Sequence, residues 1–253
     1  INNEILEQIN EYIIKLEQLT GKTFGNNNNP LLVAIKCSSK NDIPNLMDTI
    51  LNVGLTEEIV ERLSSNTTDF RWIWECYINF INDYAKNIKG INLECFQHIN
   101  DLIKDEIPIQ ELRKITNMLK DEYNSKTQTE FPDNSLQQLH SIIANAFKSW
   151  NNQTAIIYRN DIGIPFSDGL SICIQSMVFG NINKNCKTGT IFTRDPITGY
   201  KNFIDNSDYM DIDYNSIYAI EFAKEYTYLK NICELLENHY RDMLKVDFVV
   251  ENT

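Results

Sequence analysis

Near the N-terminus, Ile5, Leu6, Ile9, Ile13, Leu16 and Leu19 recur three and four positions apart, the spacing of one buried helical stripe. Asn2 or Asn3 can cap the start of that helix, and Gly21 is placed to end it. The asparagine run 26–29 ahead of Pro30 reads as a loop, and residues 31–35 as a short buried strand. Helical spacing returns after Thr56, over 57–63, 70–88, 93–104, 109–123 and 135–150. In the second of these, Trp72, Trp74, Tyr77, Phe80 and Tyr84 make an aromatic face that is expected to be core. Phe131-Pro132-Asp133 is a helix-starting turn before Ser135.

The pattern changes after Trp150. Residues 155–158 are expected to resume β structure, and 172–179 form an apolar, β-branched and aromatic run closed by Gly180-Asn181. That run reads as a largely buried strand. A shorter strand follows over 189–193, and Asp195-Pro-Ile-Thr-Gly199 supplies turn chemistry for a hairpin into 201–204. Ser216 is a candidate cap for a long helix to about Leu244, with Ile217, Ile220, Leu229, Ile232, Leu236, Tyr240 and Met243 near one face. A last strand starts at Val246, with Phe248 and Val250 on one face and Asp247 and Val249 on the other.

Composition narrows the function classes. The 253 residues suit one large domain or one domain with an inserted subdomain. A formal net charge of −12 argues against nucleic acid and anionic membranes as partners. No apolar run reaches the ~20 residues that span a bilayer. The six cysteines are scattered without Cys-x-x-Cys spacing, as in a reduced, cytoplasmic protein. The three histidines lie far apart and are expected to be structural. The first residue is Ile1 rather than Met, which fits an excerpt of a longer protein. On residue chemistry alone, a strand ending beside Arg194-Asp195 is either a ligand edge or plain sheet core.

Four stretches carry a family resemblance: Gln175-Ser-Met-Val-Phe-Gly-Asn181, Phe192-Thr-Arg-Asp-Pro-Ile-Thr-Gly199, Pro44-Asn-Leu-Met-Asp-Thr-Ile-Leu-Asn-Val-Gly-Leu55 and Glu237-Asn-His-Tyr-Arg-Asp-Met243. Taken along the chain, 44–55, 175–181, 192–199 and 237–243, they come in family order and resemble the nucleotide-binding domain of pyruvate, phosphate dikinase over nearly the whole chain. The resemblance implies an α+β fold, an ATP-grasp-type β core with a large helical insertion. It divides the chain into a first part of the core (1–55), the insertion (56–150) and a second part of the core (151–253). It implies ATP and Mg2+ as cofactors. It also implies carrier-histidine and pyruvate domains as partners in the intact protein.

Site residues follow by position. Lys36 stands where the family has a phosphate-contacting Arg, Ser38 where it has Gly, and Lys40 at a second basic position. Lys keeps the charge of Arg but loses its planar fork. Gln175, Met177 and Val178 match the adenine side, with Arg194 beyond them. The family's paired acids, Asp-x-Glu-Phe, fall on Lys245-Val246-Asp247-Phe248, so Asp247 is the candidate metal ligand and, with Lys36, the candidate catalytic residue. The family's glycine-rich phosphate motif has no counterpart, since no glycine follows Gly199. Asp205, Asp208, Asp211 and Asp213 occupy that region as a solvated acidic loop or a cation site. Two functions stay open: an ATP-binding phosphotransferase domain, or a catalytically degenerate copy kept as a binding module or a remnant.

Overall fold

The computed structural model describes residues 2–41, 43, 46–65, 71–104, 107–165, 168–180, 182, 186–201, 204–205 and 223–251, in two compact units, Ile1–Met177 and Val178–Thr253. Ser216 and three of the four aspartates of the acidic loop, Asp208, Asp211 and Asp213, lie outside the described residues.

The first unit opens with α1 (Asn3–Thr20), capped by the Asn2 side chain, which accepts the Ile5 N–H at 3.0 Å. Gly21 ends it in the left-handed region at φ 68°, donating its N–H to Glu17 O at 2.8 Å. The expected buried stripe is only partly realised. Ile13 is buried, whereas Ile5 is 38% and Leu19 84% exposed. The short parallel strands β1 (Thr23–Phe24) and β2 (Pro30–Leu31) bracket the asparagine run, whose Asn26 Oδ1 accepts the N–H groups of Asn28 and Asn29.

The main sheet has the order β4-β3-β5, antiparallel throughout, from β3 (Val33–Ser38), β4 (Ile50–Val53) and β5 (Ser171–Ser176). β4 was not anticipated from the sequence. An extra residue in β4 shifts the register between its Val33↔Val53 and Ile35↔Ile50 pairs, and Asn52 within it takes φ 61°. β5 corrects the buried strand expected over 172–179. It stops at Ser176 and lies at the sheet edge, with Cys173 and Gln175 exposed and Ile172 and Ile174 half-buried.

Helices α2 (Glu57–Ser65), α3 (Arg71–Lys89), α4 (Glu94–Asn100), α5 (Ile109–Thr127) and α6 (Ser135–Trp150) follow the predicted segments, α4 ending earlier than expected. α3 packs on α2, α5, α6 and β4. Its Tyr77, Phe80 and Tyr84 surround Phe131 edge-on at centroid distances of 6.5, 6.0 and 5.3 Å, and Tyr123 of α5 closes the cluster at 5.3 Å. Trp74, Tyr77, Phe80 and Tyr84 of the aromatic face are buried, as its spacing implied, and Trp72 is half-buried.

The β structure expected over 155–158 is instead helix α7 (Gln153–Asp161). Asn152 caps it by accepting the Ala155 N–H at 2.7 Å, and Ala155 and Arg159, one turn apart, are buried. Arg159 lies over the Trp150 ring at 4.1 Å. A cap and an i,i+4 pair outweigh the β propensity of a short apolar run.

The second unit is an antiparallel sheet of order β7-β6-β8, from β6 (Lys187–Phe192), β7 (Ile204–Asp205) and β8 (Lys245–Val250), with helix α8 (Ala223–Tyr240). α8 ends before the expected Leu244. Its most buried described side chains are Cys233 and Glu237, while Tyr240 and Met243 of the expected apolar face are exposed. No helix among the described residues is long and apolar enough to cross a membrane.

Candidate functional site

Alternation along a strand puts every second side chain on one face, and antiparallel partners share that face. In the β3–β5 ladder Lys36 lies opposite Cys173, Ala34 opposite Gln175 and Ser38 opposite Ser171. Lys36 and Gln175 are therefore diagonal neighbours on the exposed face of the main sheet, and Ile35, Ile174 and Val33 fill the other. Lys36 is a strand residue rather than part of a loop, and its ammonium has no partner among the described residues. Ser38 and Ser171 tie the end of the ladder, their hydroxyls 2.8 Å apart. Lys40 is exposed in the bend beyond β3.

Met177 is fixed twice. Its N–H donates to Leu32 O at 2.9 Å, and its Sδ accepts the Asn52 N–H at 3.0 Å. The left-handed backbone of the β4 bulge turns that N–H toward the sulfur. The Asn52 side chain is buried and donates to Cys76 O at 3.3 Å. The Met177 N–H is thus spoken for within its own unit.

The second unit begins at Val178, 52% exposed, and the next N–H, of Phe179, donates to Glu251 Oε2 at 2.8 Å. Arg194, expected to meet ligand, grips Glu237 of α8 instead, Nε to Oε1 at 2.9 Å and Nη2 to the same oxygen at 2.5 Å. Burial works against the Glu237 charge, but the guanidinium prevails and holds the carboxyl below its ordinary value. Asp195 is a turn residue. Its carboxylate accepts the Ile197 and Thr198 N–H groups at 2.7 and 3.0 Å, and Gly199 closes the turn at φ 73°.

Asp247 lies opposite Thr190 in the β6–β8 ladder and accepts its hydroxyl at 2.6 Å on Oδ1. Lys245, two positions earlier in the strand, shares the exposed face, opposite Phe192. No group of three or more His, Cys, Asp or Glu side chains converges on a metal position among the described residues. Mg2+ demands near-octahedral oxygen ligation. Asp247 supplies one carboxylate, so the remaining oxygens would come from ligand phosphates and water, and Lys245 on the same face opposes the cation's charge. Thr190 and Glu251 carry no local sequence signal, and Glu237, the first residue of a resemblance-bearing stretch, carries none that pairs it with Arg194. Each is reached only through register or packing, Glu237 from 43 positions away.

The sequence profile of the family described as pyruvate phosphate dikinase, AMP/ATP-binding domain, matches residues 1–210. Similar curated proteins include the pyruvate, phosphate dikinases of Clostridium symbiosum (32% identical, covering 99% of this chain and 31% of that protein) and Rickettsia conorii (35%, covering 95% and 30%). That of Rhizobium meliloti strain 1021 is 31% identical, covering 97% of this chain and 31% of that protein. The chain spans about a third of the length of these relatives. With the profile covering most of its length, the chain belongs to the pyruvate phosphate dikinase AMP/ATP-binding domain family.

Proposed function

We propose that the chain is the ATP-binding domain of a pyruvate, phosphate dikinase-like phosphotransferase, with an ATP-grasp-type core in which residues 56–150 form a helical insertion between the two core parts, 1–55 and 151–253. The observation that carries this reading is the β3–β5 register, which aligns Lys36 and Gln175 on one exposed face. In it, the Lys36 and Lys40 ammonium groups meet polyphosphate oxygens. Gln175, the Met177 carbonyl and Val178 meet the base, the Met177 N–H being engaged already. Phosphoryl transfer depends on positioning and charge neutralisation more than on covalent protein chemistry, so a fixed cationic strand residue is the contribution this face is suited to make. The proposed acceptor is a carrier histidine on another domain of a longer protein, toward phosphoenolpyruvate, in the cytoplasm. Within the second unit, Arg194 is proposed as a nucleotide contact once its bond to Glu237 opens, and Asp247 as the catalytic and metal-ligating acid.

A specific observation favours a second reading, a catalytically degenerate binding module: Lys245 stands where the family resemblance calls for an acid, and Arg194 is already paired. Calorimetric titration of the chain with ATP tests both. Saturable binding that Lys36→Ala and Gln175→Ala each weaken supports the nucleotide reading. Binding without phosphoryl transfer to a supplied carrier domain supports the degenerate module, and no binding at all overturns both nucleotide roles.

A further inference from the structure

Of the edge strands of the two three-stranded sheets, as they stand among the described residues, β4, β7 and β8 are blunted against further pairing and β5 is not. β4 carries the bulge at Asn52, β7 is two residues long, and β8 bears Lys245 and Asp247. β5, Ser171-Ile-Cys-Ile-Gln-Ser176, has no charge and no proline, and it pairs with β3 over six consecutive positions without a bulge. The Met177 N–H, donated to Leu32 O one pair beyond that ladder, fixes its hydrogen-bond phase. Antiparallel pairs alternate, so the backbone groups of Gln175 and Cys173 also turn toward β3. Those of Ile172, Ile174 and Ser176 turn away from it, toward the edge. Side chains alternate as well: Cys173 and Gln175 are exposed on one face, and Ile172 and Ile174 are half-buried on the other.

We propose that β5 pairs with β5 of a second copy of this chain, antiparallel and two-fold symmetric, with the axis at Cys173. Such a contact must be self-complementary, and the faces match only where paired positions share parity. The register centred on Cys173 meets both conditions. Ile172 lies opposite the partner's Ile174, and the reverse, so the outward N–H and C=O groups exchange bonds and the half-buried isoleucines cover one another. Cys173 lies opposite the partner's Cys173 as a non-hydrogen-bonded pair, about 4.5 Å between Cα atoms and within disulfide reach. The register centred on Ile172 pairs only Ser171, Ile172 and Cys173 of β5, and that on Ile174 sets Ile172 against Ser176. Lys36, opposite Cys173 in the ladder, ends up three strand spacings from its counterpart, about 14 Å, beyond the Debye length at physiological salt. The repulsion that remains is the general one between two chains of net charge −12, so added salt favours association.

The test is sedimentation velocity of the 253-residue chain over a wide concentration range, at low and physiological salt, with and without diamide. Diamide takes two electrons and two protons from the facing thiols, leaving one disulfide and its own hydrazine. The expected result is a reversible dimer that strengthens with salt, and a trapped dimer whose linked peptide joins Cys173 to Cys173. Cys173→Ser should associate equally without being trapped. Cys173→Glu sets two carboxylates face to face across the axis, while giving Lys36 a cross-strand partner within its own chain. It should weaken dimerisation about tenfold or more and melt no lower than the unaltered chain. A chain that stays monomeric at every concentration overturns the proposal. So does a dimer that Cys173→Glu leaves intact, or one that diamide links only through other cysteines.

Discussion

Arg194 and Glu237 form a lock between the turn after β6 and helix α8, with two guanidinium nitrogens on one nearly buried carboxylate oxygen. The Glu237 carboxyl is held below its ordinary value, so the unfolded chain binds its proton more tightly than the folded one. The stabilisation is therefore complete above the unfolded glutamate value of about 4.3 and lost as pH falls through the lower folded value. Glu237→Gln should lower Tm by a few degrees at pH 7, and the difference from the unaltered chain should shrink steadily below about pH 4. Paired melting curves from pH 7 to pH 3 check this. A difference that grows on acidification would show the sign to be wrong.

Gln138 of α6 is fully buried and satisfies three backbone groups. Its Oε1 accepts the Gly54 N–H at 3.1 Å, and its Nε2 donates to Leu55 O at 3.0 Å and Pro132 O at 2.9 Å. Leucine has nearly the same volume but leaves all three unpaired. Gln138→Leu should cost about 2–5 kcal/mol, read as a lower urea midpoint with an unchanged slope.

Gly54 meets the same node from the other side. Its φ is +102°, and a Cβ there would lie 2.7 Å from Phe24 Cε2 and 3.3 Å from Leu31 O. Gly54→Ala should therefore cost about 2–4 kcal/mol. Gly21→Ala provides the contrast. Its φ is +68° with nothing within 4 Å of the added carbon, so only the backbone penalty applies, about 1 kcal/mol. Equal losses at the two positions, measured by urea unfolding, would remove the steric argument.

Lys36 projects from a formed strand, so changing it should leave Tm within about a degree of the unaltered chain, as for an exposed residue distant from the core. Lys36→Arg restores the planar fork and should tighten ATP binding severalfold, whereas Lys36→Ala should weaken it about tenfold. Calorimetry reads both. Identical affinities in the three chains would take Lys36 out of the site.

How far the sequence could be read depended on the range of the forces involved. α3, α5 and α6 are legible because a stripe at helical spacing is a local signal, and their stripes are buried. α1 shows its limit, since the spacing of Ile5 and Leu19 says nothing of whether a neighbour covers them. α7 was mistaken for a strand from Ile156 and Ile157, although the Asn152 cap lay just upstream. β4 escaped because its bulge breaks the alternation at Asn52. The alternation of β8 was legible and placed Asp247 on its face correctly. That Lys36 lies diagonal to Gln175 on one face, or that Arg194 meets Glu237, follows from register and packing over long separations, which no local pattern encodes.

The strands that carry Lys36 and Gln175 are joined across 133 positions between Ser38 and Ser171, with helices α2–α7 between them. Loop closure of that length is an entropic cost that local contacts do not share, so the β3–β5 ladder is slow to form unless something first shortens the excursion. The aromatic cluster around Phe131 does so by condensing the intervening helices. Pulsed amide labelling during refolding should therefore protect α3 and α5 ahead of β5. The face that bears Lys36 is then a late product of folding, and ATP-binding competence should appear with the slowest phase rather than with the bulk of the helical signal.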